Sequence, residues 1–212
     1  MMLKFGFAPS GWLAFAGVVT FLVGCSSSHL ARQQTRGEAS RPSTGAERLE
    51  GLDLNGRPVN PLNEPRAKAV TLIFVRTDCP ISNHYAPEIQ RLYKKFRALG
   101  VAFWLVYPND TTSVAEIQAH DREYGLSLPV LRDPRHRLVQ KTGVRVTPEA
   151  TVFLPGGEMV YRGRIDDQYV DLGKQRSEAT EHDLDVTLAQ LVAGKPVTNA
   201  ETVAVGCYIS GL

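Results

Sequence analysis

The chain is short of cysteine and almost without net charge: it has three cysteines in 212 residues, and 24 Lys and Arg against 22 Asp and Glu, a formal charge of +2. That balance gives no reason to expect a polyanionic partner. The basic residues are scattered, with no basic helix face and no interleaved aromatic platform of the kind that nucleic-acid binding needs. Internal repeats are missing as well. What is present is 43% hydrophobic content, enough to bury one good core in a single domain.

Lys4 and an apolar core over residues 11–23, too short for a comfortable membrane span, have the make-up of an export signal, residues 1–25. Pro9 and Ser10 interrupt any longer helix. Leu22-Val23-Gly24-Cys25 resembles the bacterial lipobox. That resemblance implies lipidation of Cys25, which becomes residue one of a membrane-anchored lipoprotein facing the periplasm. An uncleaved anchor reaching back to Phe5, or a secretory signal cut near Ser26, are the alternatives. Residues 26–47 hold almost no large apolar side chains, cannot repay ordering by burial, and read as a flexible tether. A folded domain over 48–196 and a tail over 197–212 carrying Cys207 complete the division. With Cys25 spent on lipid, Cys79 and Cys207 remain as thiols in an oxidising compartment, enough for one disulfide.

Residues 52–59 alternate about Asn55-Gly56, a hairpin signal. Residues 70–75 and 101–107 are continuous apolar runs, as in strands buried on both faces, and the stretch from about 83 to 99 spaces Tyr85, Ile89, Leu92, Tyr93 and Phe96 as a helix does. Strand, helix, strand predicts a parallel crossover. Further helices are expected over 114–124, around Leu138 before Gly143, and from about 178 to 192. A hairpin joins 150–154 to 159–164 through Pro155-Gly156-Gly157.

Cys79 falls between the first buried strand and the first helix, with Pro80 at the helix start. Unpaired backbone N–H groups and the helix dipole favour a thiolate there, and such thiols have pKa values lowered from about 8.5 to roughly 3.5–7.5. A lone cysteine is otherwise a small buried hydrophobe. Together with Asp133-Pro134, Gly143-Val144, Thr147-Pro148 ahead of a strand, and Val160-Tyr161-Arg162-Gly163-Arg164-Ile165-Asp166, this makes residues 49–193 resemble the exported thioredoxin-fold redoxins of the alkyl hydroperoxide reductase/thiol-specific antioxidant kind. The resemblance implies an α/β thioredoxin-like fold with a central mixed sheet flanked by helices. It also implies thiol oxidoreductase chemistry at Cys79 without a cofactor, and a cis Pro148 shaping a substrate groove in which Thr147 offers backbone groups to an extended substrate. A trans proline that merely begins a strand is the plain alternative.

Two departures bear on mechanism. Where a dithiol thioredoxin has C-x-x-C, this chain has Ser82, so Cys79 cannot resolve its own mixed disulfide locally. Peroxiredoxins place a threonine three residues before the peroxidatic cysteine; here that residue is Arg76 and Thr77 is one place closer, leaving these two as candidates for the cation and hydroxyl that a breaking O–O bond needs. Cys207 is the candidate resolving thiol, with a static structural disulfide or a buried free thiol as alternatives. Asp78 would raise the pKa of Cys79 and Arg76 would lower it. His84 reads as a solvated helix residue or a base, and residues 166–169 as a solvated or substrate-facing loop. The expectation is a thiol oxidoreductase acting on a thiol/disulfide protein or a peroxide and served by an external thiol reductant, with no metal. A thiol peroxidase is the second reading. A non-catalytic module holding Cu(I) through Cys79, His84 and Cys207, or binding a partner, is the third.

Overall fold

The computed structural model of the chain describes residues 49–212; the expected signal segment over 1–25, Cys25 and the expected tether over 26–47 lie outside the described residues. In chain order the elements are β1 (Gly51–Leu52), β2 (Pro58–Val59), β3 (Ala69–Phe74), α1 (Pro80–His84), α2 (Ala86–Arg97), β4 (Val101–Tyr107), α3 (Val114–Glu123) and β5 (Val130–Arg132). They continue with α4 (Arg137–Thr142), β6 (Val146–Thr147), β7 (Glu149–Phe153), β8 (Met159–Gly163), β9 (Tyr169–Asp171), β10 (Lys174–Gln175), α5 (Asp183–Val192) and β11 (Cys207–Tyr208).

The run that begins at Ala69 fixes the architecture. Every residue of β3 is buried, and its side chains alternate between two cores, Ala69 and Ile73 on one face and Val70, Leu72 and Phe74 on the other. Each Leu, Ile or Phe so enclosed is worth about 1.5–3 kcal/mol of burial. A strand of this kind needs cover on both faces. Tyr85, Ile89, Leu92 and Phe96 from the first helical stretch, with Ile117 of α3 and Leu184 and Leu188 of α5, cover the first face, and Leu138 and Val139 of α4 cover the second. The main sheet has the order β2-β1-β5-β4-β3-β7-β8, with β3, β4 and β5 parallel, β7 antiparallel to β3, and β8 antiparallel to β7. The expected crossover is present.

Two helix starts differ most from the sequence reading. The first helix begins at Pro80 rather than 83, because Cys79 itself acts as the N-cap, and it breaks at Tyr85, since Pro87 has no N–H to donate to the Asn83 carbonyl. The last helix begins at Asp183 rather than 178. The Asp167 carboxylate accepts the backbone N–H groups of Thr180 and Glu181 and the Thr180 hydroxyl, and so holds the preceding residues as a loop. The Asn55-Gly56 hairpin closes through residues 53–57, organised by Asp53 accepting from the Asn55 and Arg57 N–H groups.

Candidate active site

Cys79 is delivered by the end of β3 to the start of α1, where the Ser82 N–H donates to its Sγ at 3.4 Å. The side chain is fully buried. Opposite it, the chain before Pro148 presents Thr147, whose carbonyl oxygen lies 3.1 Å from Sγ, and the Thr147–Pro148 peptide is cis. Cys79, Thr147 and Pro148, which are distant in sequence, are therefore assembled at one end of the central strands.

The tail completes the site. Residues 200–202 run beside β8, with the Arg162 N–H donating to Ala200 O and the Thr202 N–H to Arg162 O. β11 then pairs antiparallel with β6, Cys207 opposite Thr147 and Tyr208 opposite Val146. A disulfide joins Cys79 and Cys207, whose Cα atoms are 6.0 Å apart. Gly206 makes the approach feasible: a Cβ there would sit 2.2 Å from the Thr147 carbonyl oxygen and 3.2 Å from the Pro148 nitrogen. The Thr147 hydroxyl donates to Cys207 O, and the Ile209 N–H to Arg145 O.

Arg76 faces this tail. Its guanidinium grips Asp78 through two hydrogen bonds, at 3.0 and 2.6 Å, and its third contact donates to the Tyr208 carbonyl at 2.8 Å. Thr77 contributes its carbonyl, which accepts from the Asn83 amide. Ser82 is buried, and its hydroxyl has no hydrogen-bond partner among the described residues. His84 is exposed, with its ring packed edge-on to Tyr169 at 5.5 Å.

The expectation of a solvated or substrate-facing loop at 166–169 gives way to a structural one. Asp166 and Asp167 are buried; the Tyr85 hydroxyl donates to Asp166 at 2.5 Å, and Asp167 holds the approach to α5 and accepts from Arg176. Asp166 also approaches Glu88 and His182 closely enough for three ligand atoms to gather, but both Glu88 oxygens are already engaged by Arg91.

One network escaped the sequence reading. Tyr107 Oη lies 2.8 Å from both Asp121 Oδ1 and His120 Nδ1, and His120 Nε2 lies 2.9 Å from Asn83 Oδ1. The Tyr107 hydroxyl donates to Asp121. Asn83, whose NH₂ is directed at Thr77, offers only its oxygen to the imidazole. Burial pushes the Asp121 carboxyl up, against the Tyr107 hydrogen bond, and burial pushes His120 down. Through Asn83 the network fixes the loop that leads to Cys79.

Comparison with known proteins is consistent with this geometry. The AhpC/TSA family profile matches residues 43–163, a span that includes Cys79, Thr147 and Pro148 and ends before Cys207. The thiol-disulfide oxidoreductase ResA of Halalkalibacterium halodurans is 29% identical over 121 residues, 56% of this chain and 67% of that protein. A hypothetical protein from Sinorhizobium meliloti 1021 superposes with a TM-score of 0.67 at 21% identity, over 77% of this chain and 91% of that one. The thioredoxin domain of a thiol-disulfide oxidoreductase from Bacteroides vulgatus gives a TM-score of 0.51 at 18% identity, over 68% and 92%. The likeness to these two structures is one of fold, and the fold is thioredoxin-like.

Proposed function

The chain belongs to the AhpC/TSA family, and on that footing we propose that it is an extracytoplasmic thiol-disulfide oxidoreductase in which Cys79 is the attacking thiolate and Cys207 the resolving thiol. The observation that carries this reading is the Cys79–Cys207 disulfide beside Thr147 and Pro148. It supplies from the tail the second sulfur that Ser82 denies to the local loop.

The cycle follows from the positions of the two sulfurs. The Cys79 thiolate, favoured by the Ser82 N–H, attacks one sulfur of a substrate disulfide, and the other sulfur leaves as a thiolate. The Cys207 thiolate then attacks Cys79 Sγ and expels the substrate as a thiol. In the disulfide so formed Cys79 is sealed while Cys207 is partly exposed, so an external donor thiol attacks Cys207 and Cys79 departs as the better-stabilised thiolate. A second donor thiol releases Cys207. Two electrons pass from donor to substrate, with no cofactor. Thr147 and Pro148 line the approach, and Arg76 steadies the tail. Export, a lipid anchor at Cys25 and the tether over 26–47 complete the proposal, with the domain over 48–196 and the tail over 197–212 as its working parts.

A peroxidase is less well supported, because Arg76 is committed to Asp78 and to the tail carbonyl. Stopped-flow mixing of the reduced protein with hydrogen peroxide and, in parallel, with a disulfide-bearing peptide tests the choice. Faster oxidation by the peptide is expected; faster oxidation by peroxide would reverse the assignment.

A further inference from the structure

The four residues Gly206-Cys207-Tyr208-Ile209 lie on the active site as a bound peptide would, and each position has its own fit. Gly206 crosses the Thr147–Pro148 peptide where any Cβ would meet Thr147 backbone at 2.2 and 2.7 Å, contacts that no flexible side chain can relieve. Cys207 sits opposite Thr147 in antiparallel register and reaches Cys79. Tyr208 is 72% exposed and is held through its backbone, the carbonyl accepting from Arg76. Ile209 is 6% exposed, lies in the same buried cluster as Leu138, Val139 and Val144, and donates its N–H to Arg145 O.

The tail occupies the β6 edge beside Cys79, and with the tail in place that cysteine is fully buried. A substrate strand and the tail must use this edge in turn. We infer that the tail is an internal copy of the substrate: the protein acts on extended polypeptide segments with glycine immediately before the reacting cysteine, any residue after it, and an aliphatic residue in the second position after it. The inference rests on the assignment of Cys79 as the attacking thiolate and adds the sequence that this thiolate selects.

Exchange then proceeds by strand replacement. The tail lifts, the substrate strand pairs with Val146 and Thr147, and Cys79 Sγ bonds to the substrate sulfur while the former partner of that sulfur leaves with the electron pair. The returning tail displaces the substrate strand as Cys207 forms its bond to Cys79. Reduced Cys207→Ser protein, full length, mixed with the peptide Val-Gly-Cys-Tyr-Ile-Ser carrying thionitrobenzoate on its cysteine, reports the first step as released thionitrobenzoate. Replacing glycine by valine, or isoleucine by aspartate, in the peptide is expected to slow release by about tenfold or more, whereas replacing tyrosine by serine leaves it within about twofold. Ile209→Asp in the protein weakens the competitor and is expected to speed reaction with the unaltered peptide. The peptide series stands on its own if that variant does not fold. Equal rates for all peptides, with release still dependent on Cys79, would overturn the substrate inference and leave the thiolate assignment intact. Absence of release from any peptide and from a small aromatic disulfide would overturn both.

Discussion

Arg76 and Tyr208 are joined by a 2.8 Å hydrogen bond, from a guanidinium three residues before one cysteine to the carbonyl one residue after the other. The bond is charge-assisted and the arginine side chain is only 17% exposed, so it holds the tail against the site more firmly than a solvent-facing contact would. It also ties the oxidised state to a residue outside the disulfide. Arg76→Gln is expected to make the Cys79–Cys207 disulfide less favoured by about 5- to 30-fold, corresponding to roughly 1–2 kcal/mol. Equilibration against glutathione redox buffers measures this. An unchanged midpoint would mean that the tail is held without Arg76.

Asp121 gives the fold a dependence on pH with a definite sign. Its folded pKa is raised above the ordinary 3.8 by burial, so the native state holds the proton more tightly than the unfolded chain does. Stability from this group is fully present below about 3.8 and is lost as pH rises through the raised value. Asn at the same place supplies an N–H to Tyr107 at every pH. Asp121→Asn is therefore expected to flatten the decline between acid and neutral pH and to stabilise the protein by about 1 kcal/mol at pH 8. Thermal unfolding of both proteins across that range checks it; parallel curves would mean that Asp121 does not set the pH dependence.

Anchoring at Cys25 makes a separate expectation. Mature protein should begin at this residue, carry acyl chains and sediment with membranes, and Cys25→Ala should abolish acylation while leaving Cys79 as reactive as before. Intact mass spectrometry distinguishes these states. A native, unacylated N-terminus at Ser26 would contradict the lipid anchor.

The central crossover was legible because Val70, Leu72 and Phe74 with Ile73 announce a strand buried on both sides, and because Ile89, Leu92 and Phe96 repeat at helical spacing. The position of Cys79 at the junction of strand and helix was legible from its place between those two patterns. The parts that were not legible depend on partners distant in the chain. Cys207 was named as the second thiol, but not the strand that docks it 128 residues from Cys79, because β6 and β11, at two residues each, are too short to show a period. Nothing local marks His120 as the middle of a buried network, and Asp166-Asp167-Gln168 looks like an exposed loop until Tyr85 and Thr180 are brought beside it. Gly206 did carry a signal: a glycine directly before a cysteine fits a close backbone approach, though not one whose partner could be named.

The central claim concerns the order in which the two sulfurs act, and mass mapping of thiols after a single turnover with a disulfide peptide tests it most directly. Wild-type protein is expected to end with Cys79 bonded to Cys207 and the peptide released. Cys207→Ser should accumulate the peptide on Cys79, and Cys79→Ser should take up none. If instead Cys79→Ser captures peptide on Cys207 as fast as wild type reacts, or if both substitutions merely cost the roughly 2–5 kcal/mol of a structural bridge without altering exchange, the account of Cys79 as nucleophile and Cys207 as its resolving partner is wrong.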